Sequence, residues 1–290
     1  MKKGIRGLLL GAACMFALAG CGDTAESPMD KEEISAETLV QEAQSMLEAA
    51  DSFAADFKAV VAMGEFGETM TEGTVAMVKA PLHAKVDTII SFGDQEQQYA
   101  LYLEKAEDTV NQYMNYDGEW TEMTLTEETA LVGVQIYNAI YNMETIFSAA
   151  ENWAVEEDGN ILKLTGAIPE DKVYDVEGYT RWFQMAGMSG LSEVYFEGVG
   201  DVPVTLTLDG KTGEPVSYSV DLTKALETVT NNVLKELNGG VAGNSIEVTE
   251  YNITSTVTQL GDVEAEPIPD AAKSDAINYE KEISMLEDAE

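Results

Sequence analysis

Cysteine and histidine are nearly missing from this chain, and their scarcity narrows its chemistry. The two cysteines, Cys14 and Cys21, both fall in the first 21 residues. The remainder therefore has no thiol for a disulfide, a zinc site or a nucleophile. The single histidine, His83, follows Pro81 at the start of a strand and reads as a solvated edge residue. Ser-His-Asp and Cys-His arrangements have almost no material here, and a multi-histidine metal site is excluded. No glycine-rich loop with a following lysine offers a phosphate cradle. Positive charge is scarce as well: 16 Lys and Arg stand against 53 Asp and Glu, for a net charge of -37. Such a surface repels nucleic acid and anionic lipid headgroups. Carboxylates are plentiful enough that counting alone leaves a glycosidase-like pair open. Yet Glu127-Glu128, Glu156-Glu157-Asp158 and Glu170-Asp171 sit at turns or helix starts, where solvation and the helix dipole account for them. Asp209 to Glu214 has an acid at each end but lacks the alternating oxygen ligands of a calcium loop, and reads as a hairpin turn. The expectation is a protein that is not an enzyme and carries no metal or cofactor.

What is present begins with a leader. Lys2, Lys3 and Arg6 form a positive start, and Leu8 to Ala19 is an apolar run too short for the ~20 residues of a membrane span. It ends at Leu18-Ala19-Gly20-Cys21, which resembles a bacterial lipobox. That resemblance implies lipidation of Cys21 and cleavage before it, so that residues 1–20 are a signal peptide. Losing Lys2, Lys3 and Arg6 with the signal takes the charge from -37 to -40. Contact with the cell membrane then runs through the lipid on the extracytoplasmic face, with residues 21–34 as a polar tether.

The mature length of about 270 residues suits one large domain, and no linker interrupts Ser35 to Leu260. Ser35 is placed to cap a helix carrying Leu39, Ala43, Met46, Leu47 and Ala50 at helical spacing. The period then changes to two: Phe53, Ala55, Phe57, Ala59, Val61 and Met63 share the inner face of a strand. Further strands follow around Thr71 to Lys79, Ala84 to Phe92, Tyr99 to Leu103, Thr109 to Tyr116 and Trp120 to Leu125, a meander of about six. From Glu127 the period returns to 3.6, with Val132, Ile136, Ile140, Met143 and Phe147 in one stripe and Val134, Tyr137 and Tyr141 widening it. No charged residue occurs from Thr129 to Met143, which predicts a helix covered on most sides. Either it is packed solidly on the sheet or it is a lid over a cavity. A hairpin follows at Trp153 to Glu157 and Ile161 to Thr165, then one short helix over Val173 to Met188. Val202 to Leu208 and Val216 to Leu222 alternate as two strands, and Thr223 to Leu237 is a helix closed by Gly239-Gly240. The last strand, Ser245 to Leu260, changes phase and predicts a bulge near Glu250. Beyond Gly261 an extended tail with a weak helical end from Ile277 is expected.

These elements add up to an α+β fold: a strongly curved antiparallel sheet, a half-open barrel, with helices on its concave side. The lipobox, N-terminal helix, meander, helical insertion and a final strand ending in Glu266-Pro267-Ile268-Pro269-Asp270 resemble small lipoproteins of Gram-positive bacteria. Those in turn are similar to lipoprotein carriers of the LolA and LppX type. The resemblance spans residues 35–270, leaving 271–290 as an acidic tail. It implies a hydrophobic cavity under a helical lid that binds a lipid or another apolar small molecule. Candidate lining residues are Phe57, Val61, Ile90, Leu101, Ile136, Ile140, Phe147, Trp182 and Phe183. One departure is that LolA-type carriers hold the lid with an arginine, whereas the one arginine after the leader, Arg181, does not align to that role. The alternative is an interaction or structural lipoprotein with a solid core, whose acidic face meets a cationic protein partner. The two readings differ in whether a void separates helix and sheet.

Overall fold

The computed structural model describes residues 35–241 and 245–278. Helix α1 (Ala36–Ala49) leads into six strands, β1 (Ser52–Met63), β2 (Gly67–Val78), β3 (His83–Phe92), β4 (Gln95–Ala106), β5 (Thr109–Tyr116) and β6 (Glu119–Leu125). Helices α2 (Glu127–Val134) and α3 (Ala139–Ala149) follow, then β7 (Glu151–Asp158), β8 (Ile161–Ile168) and α4 (Glu170–Thr180). The chain closes with β9 (Val202–Asp209), β10 (Pro215–Asp221), α5 (Thr223–Leu237), β11 (Glu250–Leu260), α6 (Asp270–Ser274) and β12 (Ile277–Asn278).

All the strands join one open, strongly curved sheet in the order β12-β6-β5-β4-β3-β2-β1-β11-β10-β9-β8-β7. Every pairing is antiparallel except that of β12 with β6. Strand β1 is the seam. It pairs with β2 by a hairpin and with β11 from almost 200 residues away, running from Phe53 opposite Leu260 to Ala62 opposite Glu250. The two-residue period that marks β1 in the sequence is what makes this seam possible. Phe53, Ala55, Phe57, Ala59 and Val61 are all buried toward the helices, and Asp56 and Lys58 are exposed on the other side. Helices line the concave side: α2 touches β5 toward one end of the sheet, and α1 touches β7 at the other. Ser35 caps α1 as expected, accepting the Thr38 N–H at 3.3 Å, an interaction that stabilises such a helix by about 1 kcal/mol.

Four expectations are corrected by the structure. The long uncharged helix is two helices. Residues Gln135–Tyr137 tighten into a 3₁₀ turn, and Asn138 starts α3 by accepting the Tyr141 N–H at 3.0 Å. Asparagine favours that capping role over a helix interior, while Val132, Gly133 and Val134 are weak helix formers. Its flank is also less covered than expected, since Leu131 and Val132 are exposed. The helix expected over Val173 to Met188 likewise breaks. Arg181 adopts a left-handed backbone at φ 57, and Trp182–Ala186 continues as a 3₁₀ turn. The last strand begins only at Glu250, and its irregularity lies near the far end, where Ala54 pairs Gln259 but Ala55 pairs Val257. Residues Ile246 and Val248 are instead tied to α5 through Asn231 and Glu227. Finally, the segment after Gly261 does not stay extended. It crosses the convex face, where Ile268 and Ala272 pack on Tyr102 and Tyr113, and it ends beside β6. This strap explains why Leu101, Tyr102 and Leu103 are buried in succession on β4, which breaks the alternation. His83 is part of the same contact, with Nε2 2.6 Å from the Glu266 carbonyl.

Candidate functional site

The concave side is not filled evenly. A cavity of about 600 Å³ lies between the sheet and the two helix breaks. The sheet contributes Val61 and Met63 from β1, Thr69 and Thr71 from β2, Ile90 and Phe92 from β3, and Tyr99 from β4. The roof comes from Gly133, Ile136 and Tyr137 at the first break and from Gln184 to Gly187 at the second. Among the described residues, none that lines it is charged, in a chain at -37. Two other hollows, of about 550 and 720 Å³, lie outside this space. They carry charge, with Glu48, Glu144, Asp175 and Lys172 in one and Asp87, Glu96 and Asp117 in the other. Among the described residues no group of three or more His, Cys, Asp and Glu is placed to hold a metal ion.

The roof segment after α4 is anchored from behind. Trp182 and Phe183 are buried in the core, with Trp182 6.5 Å from the Tyr218 ring and Phe183 edge-on to Phe196 at 5.4 Å and to Tyr251 at 6.2 Å. The Tyr251 hydroxyl donates to the Trp182 carbonyl. Glu177, on the last turn of α4, accepts the Phe183 N–H at 3.1 Å. Burial pushes the Glu177 carboxyl up to about 8, against the pull of the backbone N–H groups and of Arg181. Gly187, at φ 76, then closes the turn by donating to the Gln184 carbonyl at 2.9 Å, so that the residues after Phe183 face the hollow.

Apart from the Gln184 amide, the polar side chains that line the cavity carry hydroxyls. Tyr99 donates to Tyr137 at 3.1 Å, and Phe57 backs the Tyr137 ring at a centroid distance of 4.8 Å. Burial holds both phenols above their ordinary pKa, so both are neutral in the physiological range. Thr88, opposite Tyr99 in the β3–β4 register, has a buried Oγ1 beside both phenols, short of full hydrogen-bond geometry with either.

Of the nine lining residues expected from sequence, the structure brings Val61, Ile90 and Ile136 together on the cavity wall. Phe57 stands behind Tyr137. Leu101, Ile140, Phe147, Trp182 and Phe183 belong instead to the filled core. Cys21 lies outside the described residues. Tyr99, Tyr137, Thr69, Thr71 and Met185 were missed as lining groups. A signal for one of them exists in the pattern: Thr71 shares the inward phase of Val75 and Met77 and lines the hollow.

No family model and no curated protein matches the chain. Among solved structures, lipoprotein LppX of Mycobacterium tuberculosis is similar at 12% identity and a TM-score of 0.41, over 80% of this chain and 100% of that one. A LolA superfamily protein of Nitrosomonas europaea is similar at 10% identity and a TM-score of 0.27, over 82% of this chain and 96% of its own. LppX and the LolA superfamily are the two types that the sequence layout resembles. A likeness this loose carries no inference about what the chain binds.

Proposed function

We propose that this chain is a lipid-anchored protein of the extracytoplasmic face of the cell membrane that holds a lipid or other hydrophobic small molecule between its curved sheet and its broken helical roof. The observation that carries the reading is the uncharged cavity of about 600 Å³ in a strongly acidic protein, a volume within the range of small-molecule sites. An ordinary core would be packed to crystal-like density there. The leader from Lys2 to Cys21 supports the anchor, and with residues 21–34 as tether the domain stands off a surface that its own charge would otherwise avoid. The solid-core alternative, with an acidic face for a cationic partner, is supported by the charge alone.

Native mass spectrometry of the full chain released from a bacterial membrane, followed by organic extraction, tests the ligand. A stoichiometric apolar adduct is the expected result, and a bare protein that refuses added lipid would sink the reading. The anchor has its own test: Cys21→Ser is expected to lose the lipid mass and leave the membrane fraction.

A further inference from the structure

We infer that the cavity's ligand is an uncharged amphiphile whose hydroxyl, ester or carbonyl group enters the cavity and accepts a hydrogen bond from the Tyr99–Tyr137 pair. This deepens the ligand-binding reading above and rests on it. A site for bare acyl chains needs only apolar walls, and this one is otherwise. Four hydroxyls lie on its wall, those of Thr69, Thr71, Tyr99 and Tyr137. Because Tyr99 donates to Tyr137, the Tyr137 proton is left for another acceptor, and both phenols line the hollow. Thr88 Oγ1 is buried beside the two phenols without a partner of full hydrogen-bond geometry. Buried hydroxyls left unsatisfied destabilise a fold, and native proteins pair nearly all of them. Here a pair of phenols with spare capacity lines a space large enough to supply what it lacks.

The sign of the ligand follows from what the wall omits. With no Lys, Arg or His on the lining, a buried carboxylate or phosphate would have no counter-charge; with no Asp or Glu, neither would an ammonium. An ion taken from water into such a place is strongly disfavoured, whereas a neutral acceptor exchanges one hydrogen bond to water for one to the phenol. The class is therefore alcohols, esters, ketones and acylglycerols, held with the polar group inward.

Displacement of the apolar dye N-phenylnaphthylamine from the full chain at pH 8 tests this with three probes of one tail length. These are monolaurin, laurate and dodecyltrimethylammonium, each below its micelle concentration. Monolaurin is expected to compete at least ten-fold better than either ion. Tyr137→Phe keeps the ring against Phe57 and removes only the hydroxyl; it should weaken monolaurin five- to ten-fold more than it weakens the dye. Thr88→Val, which keeps the shape, should weaken it less. Equal or better competition by laurate or the ammonium would overturn the inference, as would an unaltered monolaurin affinity in Tyr137→Phe, the result expected if water alone satisfies the hydroxyls. Failure of the wild-type chain to bind dye or any probe would overturn the cavity reading itself, an outcome distinct from dye binding without the preference.

Discussion

The two halves of the concave side are built from the same two-residue alternation and end differently. Under β8, β9, β10 and β11, Leu164, Leu206, Tyr218, Val220, Tyr251 and Ile253 share one core with Trp182, Phe183 and the buried face of α5, with almost no exposure. Under the far ends of β1 to β4, the inward phase meets two helix breaks instead of a helix flank, and the space stays hollow. A regular helix presents a side chain every turn and fills a curved sheet; a 3₁₀ turn of three to five residues presents fewer and holds the backbone away. The lesson is that the roof, and not the sheet, decides where this core stops.

The sharpest way to break the comparison is a charge in the filled half. Ile140 is 1% exposed and lies off the cavity wall, so Ile140→Asp should unfold the domain, with a loss above about 4 kcal/mol in urea titration. A folded Ile140→Asp would show that the hollow extends under α3.

Next in size is the anchor between the halves. Glu177 has a folded pKa of about 8 against an ordinary 4.5, chiefly because it is buried. A carboxyl raised on folding contributes stability that is fully present below 4.5 and is lost as pH rises through 8. Wild type should therefore lose on the order of 3–5 kcal/mol between pH 4.5 and pH 9 from this group. Glu177→Gln mimics the neutral acid, so its melting temperature should be flatter over that window and higher than wild type at pH 9. Parallel pH profiles for the two proteins would refute the assignment.

The mildest test compares one added ring in each half. Leu206→Phe overfills a packed site and should cost about 1–3 kcal/mol. Ile90→Phe grows into the hollow and should change stability by less than about 1 kcal/mol while reducing dye capacity. Equal costs by calorimetry would mean that the hollow is not available to side chains.

Much of the fold was legible in the sequence, because alternation and turn residues act locally. The inward phases of β1, β9 and β10 are read directly from Phe53 to Val61, Val202 to Leu208 and Tyr218 to Val220. The closure of α5 at Gly239 and Gly240 is also local: both adopt positive φ and donate to the Glu236 and Lys235 carbonyls. The cavity was legible only in part. Val61, Ile90 and Ile136 were recognisable as inward apolar residues, but the same property put Leu101, Ile140 and Phe147 beside them on paper. Periodicity tells which face a residue occupies and not what stands opposite it.

By itself the sequence determined the chain's acidity, the confinement of its cysteines to the first 21 residues and of histidine to His83, and the two-residue and 3.6-residue rhythms of its elements, since these depend on residue type and spacing alone. Tertiary structure decided the rest. It broke the uncharged helix at Asn138 and the aromatic one at Arg181, it wrapped the C-terminal strap over Tyr102 and Tyr113, and it brought Tyr99 to within 3.1 Å of Tyr137 across 38 residues. A void is a relation between surfaces that meet only on folding, so no local pattern can encode its edges.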